Sequence, residues 1–145
     1  RLRPWRFLVV EGAAREKLGD IFMEALKLRD PEAGEALLQK EKSKPLRAPM
    51  IIVVIAKVEE HPKVPAVEQI LSAGAAAQNM MLAAHALGYG GIWRSGKPCF
   101  DPNVKRALGA READQIVGFL YLGTAERPPI LSDESPEEYV EMWNG

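Results

Sequence analysis

A long, nearly uncharged segment constrains the fold of this chain more than any other feature of its sequence. It runs from Ala66 to about Gly88, is rich in alanine and other strong helix formers, and contains no proline. Between Val67 and Leu87 its only Asp, Glu, Lys or Arg is Glu68. Surface helices keep a polar stripe, so we predict that this helix is buried on nearly every face. Its glutamine, asparagine and histidine side chains argue against a membrane span.

The segment that follows this helix carries the most promising polar residues. Gly88 predicts the end of the helix, and Ile92-Trp93 begins an extended stretch that opens into the turn Arg94–Lys97. By its residues alone, this turn could equally be a solvated loop. Its place directly after a buried helix and strand is typical of ligand sites on rigid scaffolds. Backbone N–H groups and an arginine there suit a polarisable, partly anionic ligand such as a flavin.

Two apolar runs predict buried strands on either side of the long helix. Met50–Ala56 is a continuous β-branched run, which indicates a central strand covered on both faces, and Ile116–Leu122 is a second such strand. Phe7–Glu11 is a shorter strand candidate. Together with the helices, this pattern predicts an α/β arrangement with helices on both faces of a sheet.

The remaining helices are predicted from periodicity and from capping signals. Ala13–Leu28 is amphipathic, and Asp101-Pro102 predicts a cap followed by a short helix over Val104–Leu108. Asp30-Pro31 predicts, in the same way, a second helix that runs to about Lys40. The charged run from Glu41 to Lys44 reads as a solvated connection.

Composition narrows the class of protein. A chain of 145 residues is expected to form one domain with a substantial core. The net charge of -1 and the scattered basic residues argue against a nucleic-acid partner. A single cysteine cannot form an internal disulfide, and the N-terminus lacks an apolar signal segment, so we predict a cytoplasmic protein. The chain also has no initiator Met and begins close to a strand, which suggests that an N-terminal portion is missing.

The sequence does not favour a dinucleotide fingerprint, a catalytic histidine, a metal site or a nucleophilic cysteine. Gly88-Tyr89-Gly90-Gly91 is not a dinucleotide fingerprint, because the third glycine is missing and the order is helix to strand. His85 could be a catalytic base, but a packed or hydrogen-bonded histidine is the better interpretation. Neither His61 nor His85 stands at metal-ligand spacing, so no metal site is predicted. Cys99 lacks the context of a thiol nucleophile, so we interpret it as structural.

Four blocks of this sequence resemble the nitroreductase family. They are PWRFLVV at positions 4–10, Arg47-Ala48-Pro49 before a strand, SAGAAAQNMMLAAHALGYGGIWRSG at positions 72–96, and IVGFLYLGT at positions 116–124. The block at positions 72–96, which ends in GGIWRSG, is similar to the corresponding segment of a small branch of NAD(P)H nitroreductases. The resemblance spans the chain up to about Thr124.

The resemblance implies a fold and an assembly. It implies a three-layer α/β/α fold of the α+β class with a mixed sheet, as a single domain over residues 1–145. It also implies an obligate homodimer whose core is the helix over residues 66–88, with a C-terminal arm, residues 124–145, that reaches across the partner subunit.

The resemblance further implies an FMN-dependent oxidoreductase. Hydride would pass from NAD(P)H through the flavin to a small-molecule acceptor of the nitroaromatic or quinone type. The family's flavin-contacting turn falls on Trp93, Arg94, Ser95 and Gly96. A stretch assigned in that branch to nicotinamide contacts falls on Ala83, Ala84, His85, Ala86, Leu87 and Gly88.

The sequence departs from the family at its start. The family opens with a helix and an Arg-Arg-Ser-type motif that holds the FMN phosphate, and nothing of this kind precedes Arg1. We therefore expect this chain by itself to bind FMN weakly. Two alternatives stay open: a non-enzymatic dimeric module that has lost FMN, and a specialised relative that degrades flavin or acts on halogenated aromatics. The physiological acceptor and the choice of NADH or NADPH also stay open.

Overall fold

A computed structural model describes residues 1–127, 130 and 134–145. In this part of the chain the strands are β1 (Trp5–Glu11), β2 (Met50–Ala56), β3 (Gly90–Arg94) and β4 (Gln115–Gly123). The α-helices are α1 (Ala14–Arg29), α2 (Glu35–Ser43), α3 (Ala66–Ala86), α4 (Lys97–Phe100) and α5 (Pro102–Ala107). Two short 3-10 helices span Lys44–Arg47 and Pro136–Tyr139. The predicted strands and the long helix are confirmed, with ends shifted by a residue or two.

The four strands form one sheet in the order β1-β2-β4-β3. The three-layer α+β fold is confirmed, with one correction: the sheet was expected to be mixed, yet its three pairings among the described residues are all antiparallel. The reason lies in the connections. The paired helices α1 and α2 return the chain antiparallel to β1, whereas the single helix α3 returns it parallel to β2. β4 then inserts between β2 and β3, so the two parallel strands never pair.

β2 is the central strand that its β-branched run predicts, and its side chains alternate between two cores. Ile51, Val53 and Ile55 face a layer made by α1, α4 and α5. On that side Phe22 of α1 meets Phe119 of β4 edge to face, with ring centroids 5.2 Å apart. Val54 and Ala56 face α3 on the other side, where small residues of the helix cover them. Helices therefore lie on both faces of the sheet.

α3 is buried on one side only within this chain. Its buried residues are Gln69, Ala73, Ala77 and Ala84. Its outer side exposes large apolar side chains, with Leu71 66% exposed and Leu82 57% exposed. The prediction of a helix buried on nearly every face is thus not met by the single chain. At its end the backbone N–H groups of Gly88 and Tyr89 donate to the carbonyls of His85 and Ala84, as in a Schellman motif.

Two predicted boundaries around α2 are wrong. Asp30 ends α1, because its backbone N–H donates to the carbonyl of Leu26, and α2 begins at Glu35 after a turn. The run from Glu41 to Lys44 is not a solvated connection but the end of α2 and the start of the next turn. Its charges are held by ion pairs, Lys42 with Asp20 on α1 at 3.1 Å and Lys44 with Glu41. The segment is therefore regular secondary structure that packs beside α1.

The predicted cap at Asp101 is confirmed. Its carboxylate accepts from the backbone N–H groups of Asn103 and Val104 and also pairs with Arg29 at the end of α1. No helix among the described residues is long and apolar enough to cross a membrane.

The expected C-terminal arm, residues 124–145, is only partly described, because positions 128–129 and 131–133 lie outside the described residues. In the described part of the arm the large apolar side chains are exposed in the single chain, namely those of Ile130, Tyr139, Val140, Met142 and Trp143.

Candidate functional site

β3 presents the predicted polar turn at one end of the sheet. Ile92 lies opposite Tyr121 of β4 and Arg94 lies opposite Phe119, so these four side chains share the face that α1 covers. The guanidinium carbon of Arg94 is 6.0 Å from the centroid of the Tyr121 ring, within cation–π range. The positively charged guanidinium of Arg94 thus lies over the face of the Tyr121 ring.

A cavity of about 360 Å³, which we call the turn cavity, opens beside this ring. Trp93, Arg94 and Ser95 line it, so three of the four residues predicted to contact flavin come together there. Gly96 does not line this cavity. It lies where α4 begins, with a φ of 89°, in the left-handed region that favours glycine. The remaining lining residues are Phe22, Lys44, Arg47, Ile92, Pro98, Phe119 and Tyr121.

Arg47 and Tyr121 were not identified as site residues from the sequence. Arg47 ends the 3-10 helix before β2, and it joins Arg94 at the turn cavity although 47 positions separate them. The Arg47-Ala48-Pro49 block was noted as a mark of the family, and that is the signal that could have found Arg47. Tyr121 carries no comparable signal, because it looks like any other apolar position of a buried strand.

A second cavity of about 640 Å³, which we call the arginine cavity, adjoins the first. The two cavities share Arg47, Ile92, Arg94 and Tyr121. His85 and Gly88, from the end of α3, line the arginine cavity and so represent the predicted nicotinamide stretch there. The other residues of the predicted nicotinamide stretch do not line the arginine cavity. Ala84 is on the buried side of α3, and Ala83, Ala86 and Leu87 are exposed outside the cavity. The two predicted stretches therefore meet only through His85, Gly88 and the turn.

Burial raises the pKa of Tyr121 above its ordinary value of 10.0, although the nearby charges of Arg94 and Arg47 act to lower it. The phenol is therefore neutral at physiological pH and can donate a hydrogen bond. The groups that line both cavities therefore include two permanently charged arginines, Arg47 and Arg94, and the neutral hydroxyl of Tyr121.

A β-bulge in β4 positions Trp93. The register with β2 shifts so that Val54 lies opposite Gly118 while Ile55 lies opposite Ile116, which leaves Val117 without a partner on β2. The carbonyl of Val117 instead accepts a long hydrogen bond, 3.4 Å, from the Trp93 indole N–H. The indole packs directly over Gly118: a Cβ at Gly118 would lie 2.1 Å from the indole nitrogen. Only glycine leaves room for this indole.

Other sequence-based candidates lie elsewhere. Cys99 is buried, and burial raises its pKa to about 12, which agrees with a structural thiol. His85 is exposed in the single chain, and its interpretation as a packed or hydrogen-bonded histidine stays a prediction. Within the described chain, no group of three or more His, Cys, Asp or Glu side chains is arranged to hold a metal ion.

Comparison with known proteins gives a consistent result. The family model described as "Nitroreductase family" matches residues 1–124. A protein of Escherichia coli strain K12 named "Putative NAD(P)H nitroreductase YdjA" is 43% identical over 136 residues, which cover 94% of this chain and 73% of that protein.

Solved structures agree with this match. A nitroreductase-like family protein from Bacillus cereus has a TM-score of 0.79 and 25% identity, over 98% of this chain and 74% of that one. A Desulfovibrio desulfuricans protein solved in complex with FMN has a TM-score of 0.67 and 22% identity, over 98% of this chain and 73% of that one, and shares the fold. The matched region includes every strand of the sheet and both predicted stretches of the site. This chain belongs to the nitroreductase family.

Proposed function

We propose that this protein is an FMN-dependent oxidoreductase that passes hydride from NAD(P)H, by way of the flavin, to a nitroaromatic or quinone-type acceptor. Family membership, a relative named for NAD(P)H and a protein of the same fold bound to FMN support the proposal. The observation that carries it is the turn cavity itself, where Arg94 and Arg47 lie beside the rings of Tyr121 and Phe119.

The turn cavity fits a planar, anionic cofactor. Its volume of about 360 Å³ lies in the range of small-molecule sites, roughly 300–1,000 Å³. Aromatic side chains provide an apolar surface for a flat ring system, and the two arginines provide charge for its polar edge and its phosphate. A Cβ built on Gly96 would meet nothing within 4 Å, so the backbone beside the turn is open to close approach.

Bound FMN would supply the capacity to accept a hydride and to give up electrons in a second half-reaction. The residues of this chain bind and orient. Arg94 is held over the Tyr121 ring, and from there it can form charge-assisted hydrogen bonds to an anionic ligand edge. The neutral Tyr121 hydroxyl adds a donor, and we propose that the nicotinamide donor enters through the arginine cavity, which His85 and Gly88 line. No side chain is needed as a proton donor, because solvent can provide the proton.

The assembly is part of the same proposal. We propose a homodimer in which the exposed side of α3 packs against a second copy, with the C-terminal arm reaching across the partner. Leu71 and Leu82 are exposed on that side of the helix, and the arm exposes Trp143 and Met142. A soluble protein rarely leaves so many large apolar side chains uncovered in two neighbouring elements.

Titration of FMN into the purified protein, followed by quenching of flavin fluorescence, tests the cofactor assignment. Arg94→Ala should weaken FMN binding by about 1–3 kcal/mol, because a charge-assisted hydrogen bond is lost. Arg3→Ala, an exposed arginine outside both cavities, should leave binding unchanged. Because this chain by itself is expected to bind FMN weakly, the titration extends to high FMN concentration. If flavin still does not bind, the enzyme assignment is wrong and the non-enzymatic dimeric module remains.

A further inference from the structure

The proposed flavin contacts use Arg47 and Arg94 but leave a third arginine of the arginine cavity, Arg127, without a role. Three arginines line this cavity, Arg47, Arg94 and Arg127, and none of its lining residues within the described chain is Asp or Glu. The chain as a whole carries 20 acidic and 19 basic residues, so an acid-free lining is not a consequence of composition. Charge of one sign along a cleft concentrates ligands of the opposite sign.

These arginines are also without carboxylate partners in the described part of the chain. Arg29 and Arg111 form ion pairs, with Asp101 and Asp114 respectively, whereas the described residues offer no such partner to the three cavity arginines. The contact of Arg94 is with the face of the Tyr121 ring, which leaves its N–H groups for a ligand. A guanidinium with free N–H groups matches the geometry of a carboxylate.

The rest of the lining suits an aromatic ring. Tyr89, Ile92, Met81 and Tyr121 give the cavity an apolar and partly aromatic surface. A flat ring that carries an acidic group satisfies both parts of the lining. A neutral nitroaromatic or quinone satisfies only one.

We infer that the acceptor is an aromatic compound that bears a carboxylate or a similar anionic group, and that Arg127 determines this preference. The inference rests on the proposed function and names the substrate class of that site. Arg127 is the informative residue because it lines the arginine cavity and not the turn cavity, whereas Arg47 and Arg94 line both. A change at Arg127 therefore leaves the proposed flavin contacts in place.

The test compares 4-nitrobenzoate with its uncharged methyl ester in the unaltered protein and in Arg127→Gln. Binding of each compound is measured calorimetrically without NAD(P)H, and KM and kcat are measured with it. The unaltered protein should bind the acid more tightly than the ester. Arg127→Gln should raise the Kd and the KM of the acid about 10- to 100-fold, as expected for one lost charge-assisted hydrogen bond, with kcat and the ester constants unchanged. Arg3→Gln serves as the matched control and should change nothing.

The outcomes separate the two proposals. If neither compound is reduced but the acid binds in an Arg127-dependent way, the anion site stands and the proposed function fails. If the acid binds no better than the ester, or if Arg127→Gln affects both equally, the inference is overturned. It is also overturned if Arg127→Gln raises the KM of NADPH and leaves binding of the acid unchanged, because Arg127 would then recognise a phosphate of the donor.

Discussion

The two faces of the sheet differ in the size of the buried side chains that cover them. Toward α1, buried side chains from six elements pack around the Phe22–Phe119 contact, and the helix buries Leu18, Phe22 and Ala25 there. Toward α3, the fully buried residues of the helix that meet the sheet are the small Ala73 and Ala77, with Ile70, Met80 and Met81 only partly buried around them. Other large side chains of the helix, such as Leu71 and Leu82, are exposed. One face is thus completed within this chain, whereas the other places a thin, close-packed helix between the sheet and an exposed apolar surface.

This difference explains why α3 has no polar stripe. A helix that served only to cover the sheet would need apolar residues on one side alone. Apolar residues on the outer side as well indicate a second contact, which we propose is another copy of the chain. The site lies at the end of the same helix, so the uncovered face and the candidate site share α3 and β3.

The largest effect on stability is expected on the sheet face that α1 covers. Phe119→Ala should lower the free energy of unfolding by about 3–5 kcal/mol, because it removes a buried ring and leaves a cavity against Phe22. Denaturant unfolding measures the loss. Val117→Ala, at a partly buried position in the same strand, should cost clearly less. Similar losses for both variants would mean that the α1 face is not the main core.

The proposal that the exposed side of α3 forms a dimer interface can be tested with two leucines of almost equal exposure. Leu71 on α3 is 66% exposed and Leu28 on α1 is 65% exposed. If α3 forms a dimer, Leu71→Glu should weaken association by about 2 kcal/mol or more, because it places a charge in a desolvated interface. Leu28→Glu should have no such effect. Sedimentation velocity across a concentration series distinguishes them, and a monomeric unaltered protein would refute the interface.

A smaller and more local effect on stability is expected at Gly118, where the Trp93 indole packs over β4. Gly118→Ala should displace the Trp93 indole, which packs over that glycine, at a cost of about 1–3 kcal/mol for overpacking. The emission of Trp93 should shift, whereas Gly74→Ala, at a position where a Cβ meets nothing within 4 Å, should leave it unchanged. An unchanged Trp93 environment in Gly118→Ala would show that the bulge does not position this side chain.

The parts of the fold that follow from local pattern could be predicted from the sequence. The β-branched run of β2 and the alanine-rich α3 stand out by themselves, as does the Asp101 cap. The start of α2 could not be predicted, because Asp30 serves instead as the end of α1, where its backbone N–H donates to the carbonyl of Leu26. The antiparallel sheet also depends on which strand inserts between which, and no local pattern encodes that.

The candidate site divides in the same way. The turn at Trp93–Ser95 was identified through its family resemblance and its position after the helix. Arg47 and Tyr121 join it only through strand pairing and the packing of the 3-10 helix, which act over long distances in the sequence. The bulge that leaves the Val117 carbonyl for Trp93 depends on a register shift between β2 and β4, which composition does not reveal.

The most direct test of the central claim is an anaerobic reaction of the FMN-loaded protein in two steps. The account predicts that NADH or NADPH bleaches the visible flavin band and that a nitroaromatic or a quinone, added afterwards, restores it. The Arg94→Ala variant should show the same sequence of changes only at higher FMN concentration. If protein with bound FMN is not bleached by either nucleotide, the chain is not an NAD(P)H-dependent oxidoreductase, whatever its fold.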